Sequence, residues 1–271
     1  MTDFDLNAVE AELAGTQFAG RLVHFPSVGS TNILALEAAQ AGVPNGRVYI
    51  TDEQTAGRGR GGHGWHSAAG DGLYVSVLLR PEMALSDALW LSLSTGLAVQ
   101  KAIAAATGLA ADIRWPNDLL IGSRKCGGIL VETSAAASQT SGTTMLRYAV
   151  IGVGINVNHE SFPAELEDLA TSLRRESGSR WAREQILVEF LRALEQEIGL
   201  LEAELHGEPV GPGLLERFAA ASGWVRGKRV KVDESGGYTG VTDGLDARGF
   251  LRVIGDDGVL HTVLSGGVRP Q

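Results

Sequence analysis

Apolar side chains recur along this chain at two different spacings, and each spacing predicts a different element. Leu6, Val9 and Leu13 share one helical face, so residues 1–20 predict a single short helix. Residues 33–41 and 89–106 carry apolar positions at helical spacing as well. Three runs predict strands: Val48-Tyr49-Ile50 within 46–51, LYVSVLL at 73–79, and VIGVGINV at 150–157 with glycine at 152 and 154. The clearest helix spans 179–205, where Leu187, Phe190, Leu191, Leu194, Ile198, Leu201 and Leu205 form one stripe between acidic positions. Gly207, Pro209, Gly211, Pro212 and Gly213 break it, and a short helical pattern follows at 214–221. Interspersed strands and helices predict α/β or α+β layers. After Gly223 the pattern changes to short strands at 228–232, 238–245, 250–254 and 259–264, separated by Gly- and Asp-rich turns. These predict a small β-barrel, with a domain boundary near residue 222.

Composition changes this picture in three places. Glycine fills 36 of 271 positions, roughly twice the usual share, and its clusters mark loops where backbone approaches something closely. The net charge of −9 argues against sequence-independent nucleic-acid binding, which needs phosphate neutralisation. A single cysteine, Cys126, excludes an internal disulfide and a Cys-rich zinc site, and fits a small packed residue better than a nucleophile. No run approaches 18 apolar residues and no signal-peptide pattern opens the chain, so a cytoplasmic protein without membrane contact is expected. The first 20 residues are too few for a winged-helix DNA-binding domain. Residues 134–144, all small and polar, predict an exposed loop.

The most informative stretch is Gln54-Thr55-Ala56-Gly57-Arg58-Gly59-Arg60-Gly61-Gly62. It contains G-x-G-x-x-G after a strand, but a dinucleotide turn must run straight into a helix. Here His63-Gly64-Trp65-His66 continues as loop, which argues against a Rossmann oxidoreductase. Two guanidinium groups on a flexible backbone suit phosphate oxygens, so the reading is a loop that closes over a polyphosphate. In Arg114-Trp115-Pro116-Asn117-Asp118, Pro116 disfavours helix at Trp115 and presents Asn117 and Asp118 at a strand end, for a ligand or for an Asx turn. Lys125, beside Cys126-Gly127-Gly128, is placed to touch an anion. Ser30-Thr31-Asn32 precedes a helix and serves as an N-cap, a ligand-bonding entrance, or both. Asn156 suits an adenine edge or a turn. His63 and His66 lack a third metal ligand and are read as loop residues.

In this order, S-T-N, Q-T-A-G-R-G-R, R-W-P-N-D, K-C-G-G-I-L-V-E and G-V-G-I-N-V resemble the biotin–protein ligase family over about residues 20–271. Arg114 stands where the family usually has lysine, which keeps the charge. The resemblance is to the ligase-only type, without a DNA-binding domain. It implies an α+β fold: a class II synthetase-like catalytic domain with a mixed sheet and helices over 1–222, then an SH3-like β-barrel over 223–271. It implies biotin and ATP as substrates, Mg²⁺ carried by ATP, and a biotin carboxyl carrier domain as partner of a monomer or homodimer.

Carried onto matching positions, the resemblance makes Lys125, Arg60 and Asp118 catalytic. Ser30, Thr31, Asn32, Gln54, Arg58, Gly59, Arg60, Lys125 and Gly128 would hold biotin, the first residues and Gln54 at its ureido ring. Arg58, Arg60, Trp65, Asn117, Lys125 and Asn156 would hold ATP, with both arginines clamping phosphates and Asn156 at adenine. Asp118 would be a positioning group or a general base for the incoming lysine, and Trp65 and Trp115 would form apolar walls. Two rival functions remain: a lipoyl or octanoyl ligase of the same fold, and a non-enzymatic adaptor built on the C-terminal barrel.

Overall fold

The computed structural model describes residues 4–136, 142–234, 236–265 and 267–271. Its larger sheet has seven strands: β1 (Leu22–Phe25), β2 (Arg47–Thr51), β3 (Gly72–Leu79), β4 (Asp112–Arg114), β5 (Asp118–Ile121), β6 (Arg124–Ala135) and β7 (Leu146–Asn156). They lie in the order β1-β2-β3-β7-β6-β5-β4. Only β1 and β2 run parallel; every other neighbour is antiparallel, so the sheet is mixed. Six helices accompany it: α1 (Leu6–Glu12), α2 (Thr31–Gln40), α3 (Ala88–Thr107), α4 (Leu173–Ser177), α5 (Arg183–Leu205) and α6 (Leu214–Ala221). A second, five-stranded antiparallel sheet follows: β8 (Arg226–Val232), β9 (Tyr238–Leu245), β10 (Leu251–Gly255), β11 (Leu260–Val263) and β12 (Val268–Pro270), in the order β11-β10-β9-β8-β12.

Every residue of β3 is buried because helices cover both faces of the sheet. Ala35 and Ala39 of α2 pack on one face, against Leu78, Tyr148 and Val150. On the other, α3 and α5 bury Leu91, Val99, Ile103, Phe190 and Leu194 against the alternate strand positions. Residues 85–107 are long and apolar enough to pass for a membrane span by length and composition; their burial in this core accounts for that composition. The apolar cluster continues without a break into Val230, Val253 and Val263 of the second sheet. Two indoles reinforce the join: Trp90 Nε1 donates to the Arg248 carbonyl at 3.0 Å, and Trp115 Nε1 to the Gly249 carbonyl at 2.9 Å.

The differences from the sequence expectations are local. The helix expected from 179 starts at Arg183, because Asn158 donates to and accepts from the Trp181 backbone, at 2.9 Å each, and holds it out of the helix. Strands β1, β4, β5 and β12, of three or four residues, are too short to display a period. The loop expected at 134–144 begins later, since Ser134 and Ala135 close β6 opposite Tyr148 and Leu146; positions 137–141 of it, and Ser235 of a predicted turn, lie outside the described residues.

Candidate functional site

The site lies where the α2 face of the sheet runs out of large side chains. On β3 and β7 this face carries Leu78, Tyr148 and Val150 under α2, then Ser76, Gly152 and Gly154, with Ser76 opposite Gly152. On β6 it presents Gly128, opposite Gly154. A Cβ on Gly152 would stand 2.1 Å from Asn32 Oδ1, and one on Gly154 2.5 Å from the Trp65 indole. The alternating glycines of VIGVGINV are therefore a floor on which other side chains rest.

Neutral polar groups converge above that floor. Gln54 Oε1 accepts from the Thr31 backbone N–H at 3.0 Å and from Thr31 Oγ1 at 3.2 Å, while Gln54 Nε2 donates to Ser67 Oγ at 3.0 Å. Ser76 Oγ lies 2.8 Å from Thr31 Oγ1 and 2.5 Å from Asn32 Oδ1. Ser30 occupies the N-cap of α2 but its hydroxyl makes no capping bond, so it is free to meet a ligand. The glycine-threaded segment folds as a narrow hairpin. Gly59 N donates to the His63 carbonyl at 2.7 Å, Trp65 N donates to the Gly57 carbonyl at 2.9 Å, and one turn at Arg60–Gly62 forms the tip. No helix follows it, in agreement with the argument against a dinucleotide fold. The hairpin lays Trp65 on the floor, leaving a pocket of about 40 Å³ lined by Ser30, Thr31, Gln54, Arg60, Lys125 and Gly128.

Charge gathers next to this pocket, around Lys125. Asp118 Oδ1 stands 2.5 Å from Lys125 Nζ, and its Oδ2 2.5 Å from Arg114 Nη2. Burial pushes the Asp118 carboxyl up, but the Lys125 and Arg114 cations outweigh it and hold it below its usual range. The Lys125 ammonium also lies 5.2 Å from the centre of the Trp65 ring. Its backbone is fixed by the following loop: Lys125 N donates to the Leu169 carbonyl and Thr171 N to the Lys125 carbonyl, both at 2.9 Å. Burial lowers the Arg60 guanidinium from its ordinary value, opposed by Asp118 and Glu234. Arg60, Arg114, Asp118 and Lys125 share a cavity of about 430 Å³ that is also lined by Arg269 of β12 and by Asp233 and Ser265, which flank strands of the second sheet. A neighbouring cavity of about 590 Å³, bounded by Trp65, His66, Asn156, Phe162 and Leu169, is mostly apolar. Both volumes suit a nucleotide-sized ligand.

Several expected site residues border these cavities while already holding partners within the protein. Arg58 lines the smaller pocket, and its guanidinium grips Glu132 with two bonds, of 3.2 and 2.9 Å. Asn32 spends its amide on Glu132 Oε2 (2.9 Å) and Ser76. Asn156 donates to the Thr171 carbonyl at 3.0 Å, bracing the loop behind Lys125, although it borders the larger cavity. Asn117 donates to the Ile129 carbonyl at 3.1 Å. Trp115 is buried and its indole N–H is taken by Gly249. Cys126 is buried and its thiol pushed up to about 12 by that burial, so it is not a nucleophile. Glu132 closes the K-C-G-G-I-L-V-E motif but received no role from it, although it falls two strand steps of two beyond Gly128, hence on the same face. Phe162 and Leu169 carried no signal at all, lying in an irregular segment without period.

A family model described as the biotin/lipoate A/B protein ligase family matches residues 24–156. The chain is 36% identical over 225 residues to the bifunctional ligase/repressor BirA of Bacillus spizizenii, covering 79% of this chain and 67% of that protein. It is 34% identical over 241 residues to the biotin–[acetyl-CoA-carboxylase] ligase of Mycobacterium tuberculosis, covering 86% and 79%. A solved structure of biotin protein ligase from Aquifex aeolicus in complex with biotin and ATP matches at a TM-score of 0.74 and 28% identity, over 93% of this chain and all of that one.

Proposed function

The chain belongs to the biotin/lipoate A/B protein ligase family, and from that premise we propose that its site joins biotin to ATP and passes the biotinyl group to a lysine of a biotin carboxyl carrier domain. In the first step a biotin carboxylate oxygen attacks the α-phosphorus, and pyrophosphate leaves. In the second the lysine amine attacks the acyl carbon of biotinyl-5′-AMP, losing a proton, and AMP departs.

The observation that carries this reading is the juxtaposition of a neutral hydrogen-bonding shelf and cationic side chains, Lys125 and Arg60, around one pocket beside Trp65. A ureido ring needs donors and acceptors without charge, which Ser30, Thr31 and Gln54 supply. Two anions must meet in the first step, and Lys125 and Arg60 border the space where that charge accumulates. Asp118, itself held by Arg114, aims the Lys125 ammonium before substrate arrives, and Lys125 would then turn from it to the carboxylate and α-phosphate. The Lys125 and Arg114 cations favour the ionised Asp118 carboxyl, so Asp118 is proposed as a positioning group rather than as the base. Both of its oxygens are already paired. The hairpin over the joined site excludes water from the acyl-adenylate.

Biotin-dependent ATP–pyrophosphate exchange, followed by streptavidin blotting of a carrier domain, tests this function. Exchange with biotin and labelling of one carrier lysine are expected. Exchange that responds to lipoate or octanoate and not to biotin would contradict it, because those acyl chains have no use for the shelf.

A further inference from the structure

Glu132 has no part in the chemistry above, yet it ties together the two segments that form the shelf. Its Oε1 and Oε2 take both terminal nitrogens of Arg58, 74 residues earlier, and Oε2 also takes the Asn32 amide at 2.9 Å, 100 residues earlier. Asn32 in turn bonds Ser76, which reaches Thr31, which holds Gln54. The carboxylate is thus the common node of the hairpin base and the ureido shelf. Its side chain is 22% exposed against 43% for Arg58, so the acid is the fixed partner and the loop arginine the one brought to it.

We propose that Glu132 is a positioning residue for biotin, and that Arg58 is the strut through which it pins the hairpin rather than a phosphate clamp. This rests on the biotin-ligase reading and deepens it. A planar fork on a carboxylate fixes orientation as well as distance. Arg58 lies one residue from Gly57 and Gly59, whose backbone bonds make the hairpin. Pinning it therefore sets the path of Trp65 over Gly128 and Gly154. The loop's ordering is then partly accomplished before biotin arrives, which strengthens biotin binding without any contact between Glu132 and substrate. Arg60 alone of the two loop guanidiniums is left for phosphate.

Arg58→Gln, Glu132→Gln and the double variant test this, since glutamine keeps an acceptor for Asn32. Two readouts are compared: tryptic cleavage after Arg60 in the ligand-free protein, and the biotin and ATP KM values in pyrophosphate exchange. Each single change is expected to speed cleavage and raise the biotin KM about tenfold, with the ATP KM within about twofold, and the double variant is expected to be no worse than either single one. The proposal is overturned if Arg58→Gln raises the ATP KM while Glu132→Gln leaves cleavage and biotin KM unchanged, or if the two effects multiply. The cleavage readout needs no substrate, so it judges the strut even if exchange with biotin fails and the functional reading falls with it.

Discussion

The two ends of the site solve different problems with different chemistry. At the shelf, Thr31, Gln54, Ser67 and Ser76 are uncharged and already bonded to one another, so a ligand meets a surface that needs little rearrangement. At the reaction end, Lys125, Arg114 and Asp118 are charged and compensate one another, so a substrate anion must compete for the ammonium. The lesson is a division between affinity and rate. In the proposed reaction, preformed neutral groups would bind biotin alike in ground and transition states, whereas Lys125 would change partner only as charge builds.

Lys125→Ala should break the reaction end most severely. Loss of about 10²–10³ in the exchange kcat is expected, the range seen when one charge-stabilising donor is removed. Asp118→Asn comes next: the ammonium loses its aim, and kcat should fall about tenfold or more. Because the Asp118 carboxyl is held below its ordinary value, its ion pairs are present at neutral pH and lost only as pH falls through that depressed value. The pH profile of transfer should accordingly show no acid limb from Asp118 between about pH 5 and pH 8; a limb that disappears in Asp118→Asn would restore the general-base role.

At the shelf the signature reverses. Gln54→Ala should raise the biotin KM about tenfold, or 1.4 kcal/mol, with kcat nearly unchanged. Trp115→Phe should have the smallest effect. It removes the bond to Gly249 that helps seat the second sheet against the reaction end, so about 1 kcal/mol of stability should go in a denaturant melt. Any kinetic change should fall on ATP and not on biotin.

Much of this was legible in the chain, and the limits follow from distance. The glycine alternation at 152 and 154 reports the floor directly, because strand period decides which face a residue serves. The loop at 54–62 was recognisable from composition, and the absence of a following helix from its continuation. The fate of each arginine was not. Arg58 and Arg60 are equivalent in sequence, and only the hairpin, closed by Gly59 and His63, sends one to Glu132 and leaves the other by Asp118. Asn32, Asn117 and Asn156 look like ligand amides in a motif, and the bonds they also make within the protein were not legible, because their partners are backbone carbonyls or a carboxylate brought close only by folding. Short strands such as β4 and β5 exist by pairing with each other and with β6, not by local preference.

The division between affinity and rate is tested most directly by calorimetric titration of biotin, without nucleotide, into the wild-type chain, Gln54→Ala and Lys125→Ala. The account predicts binding about tenfold weaker in Gln54→Ala and within about threefold of wild type in Lys125→Ala. Affinity lost with the lysine and retained without the glutamine would contradict it.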